Sequence, residues 1–426
     1  MTAEFTVEVF QNEYLPEGAR EVDAIVTVAA TGIAAAEVPP ADVAQVIIVD
    51  CSGSMRYPPT KLSAAKHATT TAIDTLRDGV SFAVVEGTDT ARMVYPTHLG
   101  LAIAGEQTRA EAKRVVHRLV ADGGTAMGRW LALADRVLAG HTGALKHAIL
   151  LTDGQNQHET PAQLSRTLAS IGGRFTCDCR GVGTDWQVDE LRKIAEAMLG
   201  TVDIVADSQA LADDFRAMTA TAMGKAIGGV SLRLWIPEGA SVRFVKQVAP
   251  TVLDLTGRRT ISGARTGDYP TGAWGAESRD YHVCVQVKAA GVGDRMLAAR
   301  VSLMTPSGSV PGQGKVLAVW TEDSALSTRI NREVAHYTGQ AELADVIQDG
   351  LEARKAGDVE TATAKLGRAV ALANSSGNTD TARLLAKVVD VVDPVRGTVK
   401  LRPKVADADE MTLDTRSTVT KRVGKG

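Results

Sequence analysis

The chain has 426 residues, enough for two or three domains. Its formal net charge is −3 and only 4% of its residues are aromatic, which argues against a nucleic-acid or anionic-membrane partner. No run approaches the ~18 consecutive apolar residues that span a bilayer, and four cysteines are too few for a disulfide scaffold.

The first forty residues read as β strands. Phe5–Phe10 alternates and Val22–Val28 is strand-like, so residues 1–40 either join a later β region or form a separate edge hairpin. The N-terminal decapeptide lacks a basic stretch followed by an apolar one, so no secretory signal is expected and a cytoplasmic location is.

Residues 41–226 alternate strands and helices. Strands are predicted near 45–50, 80–86, 91–95, 146–152, 174–182 and 201–206. Lys61–Arg77 carries Leu62, Ala65, Thr69, Ala72, Ile73 and Leu76 at helical spacing. Leu191, Ile194, Ala195 and Met198 repeat the pattern, and Gly200 ends it. Such alternation predicts an α/β fold with a doubly wound, mostly parallel sheet covered on both faces. Ligands of these sheets sit beyond the carboxyl ends of the strands.

Three polar segments fall where that rule places a site. Asp50-Cys51-Ser52-Gly53-Ser54 follows the apolar run Val46–Val49. Gly123-Gly124-Thr125 precedes a helical stretch, and Thr152-Asp153-Gly154 closes a second apolar run. Hydroxyls and carboxylates converging on one spot suit a small hard cation, which prefers oxygen ligands. The rim of such a spot would be Met55, Arg56 and Tyr57, then Met127 and Arg129, then Gln155 and Asn156. Arg56 and Arg129 could then assist a carboxylate by charge-assisted hydrogen bonds.

Residues 228–322 lose the helical period. Val230–Ile236, Val242–Val248, Tyr281–Val287 and Met296–Leu303 predict a β-sandwich-like domain. Residues 323–392 return to helix, with Ala341–Ala356, Val359–Asn374 and Thr379–Val392 forming a small C-terminal helical bundle. Gly357-Asp358 and Ser375–Asn378 separate the three. The segment 393–426 has few apolar residues and reads as a flexible tail. Its Thr412, Thr415, Thr418 and Thr420 lie between acids and arginines and are candidate phosphorylation sites.

The Asp-x-Ser-x-Ser pattern, with Thr125 and Asp153 following in order, resembles the metal-ion-dependent adhesion site of von Willebrand factor A domains. The resemblance covers about 41–226 and implies a Rossmann-like fold. It implies that Asp50, Ser52, Ser54, Thr125 and Asp153 hold Mg²⁺, with Mn²⁺ or Ca²⁺ as alternatives. The serines and the threonine would bind directly or nearly so, and the aspartates largely through water. It further implies a docking module whose metal takes an Asp or Glu carboxylate from a protein partner. In some members the last helix, here Ala210–Lys225, shifts by about a turn.

Without a signal or disulfides, the chain looks like the bacterial intracellular members that act in regulation or assembly. The expected partner is then an ATPase, a kinase or a phosphothreonine-binding protein. An adaptor role for an ATPase of the MoxR or chelatase type is the alternative function. A Mg²⁺-dependent hydrolase is the weaker one, because Ser52 stands where a phosphatase loop carries a second Asp. No Gly-x-Ser-x-Gly elbow surrounds the serines and no phosphate-binding loop is present. The chain is not expected to be an enzyme.

Overall fold

A computed structural model describes residues 4–32, 39–205 and 210–422. Residue 206 of the expected 201–206 strand, residues 1–3 and 33–38 of the first segment and residues 423–426 of the tail lie outside the described residues. The rest divides into two compact units. Residues 39–228 with Gly272–Gly275 make one, and the segments before, between and after make the other.

The chain opens with β1 (Glu4–Gln11), β2 (Tyr14–Pro16) and β3 (Glu21–Thr31). The α/β unit then begins with β4 (Val43–Asp50), α1 (Thr60–Thr75), β5 (Ser81–Gly87), β6 (Ala91–Tyr95), β7 (Ala102–Ile103), α2 (Glu106–Val116) and α3 (Met127–Ala139). It continues with β8 (Leu145–Thr152), α4 (Pro161–Ile171), β9 (Thr176–Val182), α5 (Val188–Ala197), β10 (Val202–Val205) and α6 (Leu211–Met223). The sheet order is β10-β9-β8-β4-β5-β6. β4 pairs parallel with β5 and β8, while β6 and β7 pair antiparallel with β5.

Every residue of β4 is buried, as a central strand covered on both faces requires. Val43, Ile47 and Val49 share a core with Ala65, Ala68 and Ala72 of α1, Val116 of α2 and Phe215 of α6. The other layer is α3, which packs on β4 and on α4, and α5, which packs on α4. The chain leaves β4 toward β5 and later returns to β8 on the opposite side. The carboxyl ends of β4 and β8 therefore flank a crevice at the point where the strand order reverses.

The second unit takes up β11 (Ile227–Trp235), β12 (Ser241–Ala249), β13 (Leu253–Asp254), β14 (Thr260–Gly263), β15 (Thr266–Trp274), β16 (Ser278–Gln286), β17 (Arg295–Thr305), β18 (Gly308–Ser309) and β19 (Gly314–Thr321). They form two sheets, β1-β3-β16-β12-β13 and β14-β15-β11-β17-β19-β2, with β18 on β17. β3 pairs with β16 from Glu21↔Gln286 to Ala29↔Ser278, so the N-terminal strands are not a separate hairpin. β1 and β3 meet β19 across the two sheets, which face one another as a β-sandwich.

Helices complete this unit: α7 (Ser324–Ser327), α8 (Arg332–Lys355), α9 (Val359–Ser375) and α10 (Thr379–Val388). α8 starts at Arg332 rather than Ala341 because the Asn331 side chain accepts from the Glu333 and Val334 amides. Gly357 and Gly377 take φ of +79° and +65°, and Asp358 and Asn378 then cap the next helices. α10 stops at Val388, before the expected Val392. The run Val389–Asp393 is β-branched and precedes Pro394, and it becomes β20 (Val389–Asp393), paired with β21 (Thr398–Leu401).

The expected flexible tail at 393–426 is ordered through Arg422 and contains β21 and α11 (Asp407–Arg416). The reason is apolar burial that a sparse count conceals: Val399 and Leu413 enter the core formed by Ile347, Leu366, Val370 and Leu385. Beyond α11 the chain clasps the sandwich. Thr418 O accepts from Val252 N, and the Arg422 guanidinium pairs both oxygens of buried Asp280 at 2.6 and 2.8 Å. Thr415 and Thr420 are consequently buried, and Thr412 and Thr418 are half-buried, so these threonines are not the open acceptors that the sequence suggested.

Within the α/β sheet one polar chain crosses three strands. His147 Nδ1 lies 2.8 Å from Gln45 Oε1, and its Nε2 lies 2.9 Å from Asp178 Oδ2. Burial opposes the Asp178 charge, but hydrogen bonds and charge from His147, the Arg180 charge and a Thr201 hydrogen bond outweigh it and hold its carboxyl below the usual range. A depressed carboxyl stabilises the fold above its unfolded value of about 3.9 and loses that contribution as pH falls through the folded value. Asp178→Asn is expected to cost about 2 kcal/mol at pH 7. Urea unfolding at a series of pH values checks this, with the gap from wild type closing on the acid side.

Candidate metal centre

Three loops meet at the β4/β8 crevice. The backbone fixes the first against its neighbours. Cys51 N donates to Gly87 O at 2.8 Å, Asp122 N donates to Cys51 O at 2.7 Å, and Gly53 N donates to Gly123 O at 2.9 Å. The second and third loops are tied through His158, whose Nδ1 accepts from Thr125 N at 3.2 Å and whose amide donates to Thr125 O at 2.9 Å.

Both carboxylates are fully buried and gripped from behind. Asp50 Oδ1 accepts from Ser52 N at 2.7 Å, and Oδ2 accepts from the Thr152 hydroxyl at 2.5 Å. Asp153 Oδ1 accepts from the Ser54 hydroxyl at 2.7 Å, which stands 2.9 Å from the Ser52 hydroxyl. The three hydroxyls converge on one place. A β-carbon added to Gly154 would lie 3.0 Å from Ser54 Oγ, 3.4 Å from Thr125 Oγ1 and 3.9 Å from Ser52 Oγ. All five residues singled out in the sequence thus meet at one crevice, and glycine at 154 leaves open the space between them.

The donor set fits a hard divalent cation. Among the described residues no three His, Cys, Asp or Glu side chains gather to hold a metal, and the oxygens offered here are chiefly hydroxyls. Burial pushes the Asp50 carboxyl up to about 6, against hydrogen bonds from Ser52 and Thr152 and with the help of the Asp153 charge. Its direct partners are hydrogen-bond donors only, so a second positive charge in the crevice would stabilise its ionised form.

One member of the site escaped the sequence reading. The Lys61 ammonium is buried and donates to Asp153 Oδ2 at 2.6 Å and to exposed Asp185 Oδ2 at 2.9 Å. Burial lowers its affinity for a proton, but hydrogen bonds and charges from Asp153 and Asp185 outweigh this and hold its pKa above the usual range. Lys61 shares the buried helical stripe of Ala65, Ala68 and Ala72. A lysine in register with an apolar stripe was the available signal.

The expected rim is only partly a rim. Met55 and Met127 are fully buried and Asn156 is buried, because each faces inward from its turn or helix end. Asn156 Oδ1 instead accepts from Met127 N at 3.0 Å. Arg56 reaches back to Ala121 O at 2.9 Å and Asp122 Oδ1 at 3.3 Å, and Arg129 reaches Asp89 O at 2.7 Å. Tyr57, 81% exposed, and exposed Gln155 remain open to a partner.

The family profile described as von Willebrand factor type A domain matches residues 44–204. A second, described as von Willebrand factor type A C-terminal domain, matches 371–417. A solved structure described as von Willebrand factor type A from Catenulispora acidiphila is 55% identical, covers 99% of this chain and 97% of its own, and superposes with a TM-score of 0.93. The ArnB paralog VWA2 from Sulfolobus acidocaldarius shares the fold at 14% identity, with 99% and 100% of the two chains covered and a TM-score of 0.61. No curated protein matches the chain.

Removing the Lys61 charge leaves buried Asp153 with the Ser54 hydroxyl as its one side-chain partner. Lys61→Met is expected to destabilise the protein by about 3 kcal/mol in EDTA at pH 7. Adding Asp153→Asn to it should recover part of the loss, and urea unfolding of both variants checks the pair.

Proposed function

Because the chain belongs to the von Willebrand factor type A family, we propose that its hydroxyl–carboxylate crevice holds Mg²⁺ and docks a carboxylate of a partner protein. Domains of this family are protein-interaction modules and are often metal-dependent. The observation that carries the reading is the convergence of Ser52, Ser54 and Thr125 hydroxyls around the Gly154 space, beside two buried carboxylates.

Ser52, Ser54 and Thr125 are the residues that would touch the cation. Asp50 and Asp153 supply the charge that draws it in. When bound, the cation offers an electrophilic position to one further anionic oxygen. The charges of the chain itself favour such a ligand. In the buried part of the crevice Asp50 and Asp153 contribute two negative charges and Lys61 one positive, so a divalent ion there tips the balance to positive, and exposed Asp185, which shares Lys61, offsets this only through solvent. A neutral hydroxyl set leaves that charge less quenched than a set of direct carboxylates would, and the partly desolvated crevice strengthens the attraction. Tyr57 and Gln155 stand exposed beside the site as its contact surface. The four cysteines are free and buried, which suits a reducing bacterial cytoplasm. Among the described residues no helix is long and apolar enough to cross a membrane.

Titration calorimetry with MgCl₂ tests the cation site. Asp50→Asn and Thr125→Ala are each expected to weaken binding by about tenfold or more while far-UV circular dichroism is unchanged. Capture of partners from a bacterial lysate, with Mg²⁺ and again with EDTA, tests the docking role. Partners retained only with Mg²⁺ support it, and partners indifferent to EDTA sink it. An ATPase among the Mg²⁺-dependent partners assigns the adaptor role, and a kinase or phosphothreonine-binding protein assigns a signalling one.

A further inference from the structure

A cleft of about 480 Å³ opens on the α/β unit and is lined by no residue of the hydroxyl–carboxylate centre. It arises from an irregular sheet edge. β6 pairs with Val84–Gly87 of β5, whereas β7 pairs with Ser81 and Phe82. The chain between β6 and β7 leaves the sheet and forms a wall opposite α2. Pro96, Leu101 and Val115 give the cleft apolar surface, and Arg114, Arg118 and His98 give it cationic or titratable groups.

Arg114 of α2 and Arg118 just beyond it differ from the other two cations of that helix. Arg109 and Lys113 each pair with a carboxylate at 2.6 Å, Asp78 and Asp74 respectively. Arg114 makes one hydrogen bond, to the Ala110 carbonyl at 3.4 Å, and its charge also acts on Glu111. The Arg118 guanidinium and the His98 ring have no hydrogen bond or ion pair among the described residues. The cleft's own carboxylate is already engaged: Glu111 accepts from the Tyr95 hydroxyl at 3.1 Å and from Gln107 at 3.0 Å. Two guanidiniums against one occupied carboxylate leave a net positive cleft. Half-buried Leu101, from the same loop as Pro96, adds to its apolar wall.

We propose that this cleft is a second docking site, which takes an acidic peptide segment of a partner protein. A Glu or Asp carboxylate would meet the guanidiniums of Arg114 and Arg118, whose forked donors match it in geometry. A neighbouring apolar side chain would pack on Pro96, Leu101 and Val115. The volume lies in the range of binding pockets and exceeds what one carboxylate needs. The proposal requires no metal and stands apart from the Mg²⁺ reading.

The test uses the full chain in EDTA, where the metal centre is silent. The probe is a short fluorescein-labelled peptide of alternating glutamate and leucine, read by anisotropy. Saturable binding is expected, weakened at least tenfold by Arg114→Glu with Arg118→Glu and weakened by added salt. Both arginines are exposed, so the melting temperature should hold. The single Arg118→Glu variant, expected to weaken binding severalfold, is the second measurement. A twin peptide with glutamine in place of glutamate should bind far less, and succinate should not displace the probe. Absence of saturable binding, equal binding of the glutamine twin, displacement by succinate, or no effect of either variant would overturn the proposal.

Discussion

The α/β unit is organised around two carboxylates buried where its central strands end. A carboxylate removed from water needs donors or a cation, since a bare charge in a packed interior costs several kcal/mol. Asp50 meets this need with the Ser52 amide and the Thr152 hydroxyl. Asp153 meets it with Ser54 on one oxygen and Lys61 on the other. These contacts draw the loops after β4 and β8 and the start of α1 to one point. The carboxylates thus act first as structure. That structure also brings the Ser52, Ser54 and Thr125 hydroxyls together around the space left by Gly154.

Lys61 changes the electrostatic character of the centre. Its ammonium offsets one of two negative charges without occupying the oxygen of Asp153 that faces Ser54. The same lysine explains how Asp153 tolerates full burial. The exposed Asp185 adds less, because a carboxylate in water competes with solvent for the same donor.

The second unit depends on a different constraint, which is closure by chain ends. β3 lies in the sheet between β1 and β16, and β2 closes the edge of the other sheet beside β19. At the far end, Arg422 covers Asp280, which also accepts from Tyr337 and Thr27. Segments distant in sequence therefore satisfy one buried charge. The α/β unit is carried on the chain between β3 and β11, so the sandwich is completed only after that unit has been spanned.

Much of this was open to reading from the residues. The order of strands and helices in 41–226 followed from apolar runs of two periods, because those periods are local. The five residues of the centre were legible because their three segments follow an apolar strand or precede a helix, in the order of the family's metal-site pattern. Asx and glycine signals at Asp358 and Asn378 marked the helix breaks for the same reason. Other features depended on partners far along the chain. Lys61 became a buried cation only when α1 packed against the β8 loop. Met55, Met127 and Asn156 turned inward because of neighbours from other segments. The tail gained order because Val399 and Leu413 found a core made by three preceding helices. Sequence determines what a segment can form by itself, but burial of a charge or of a lone apolar residue is decided by what tertiary packing brings beside it.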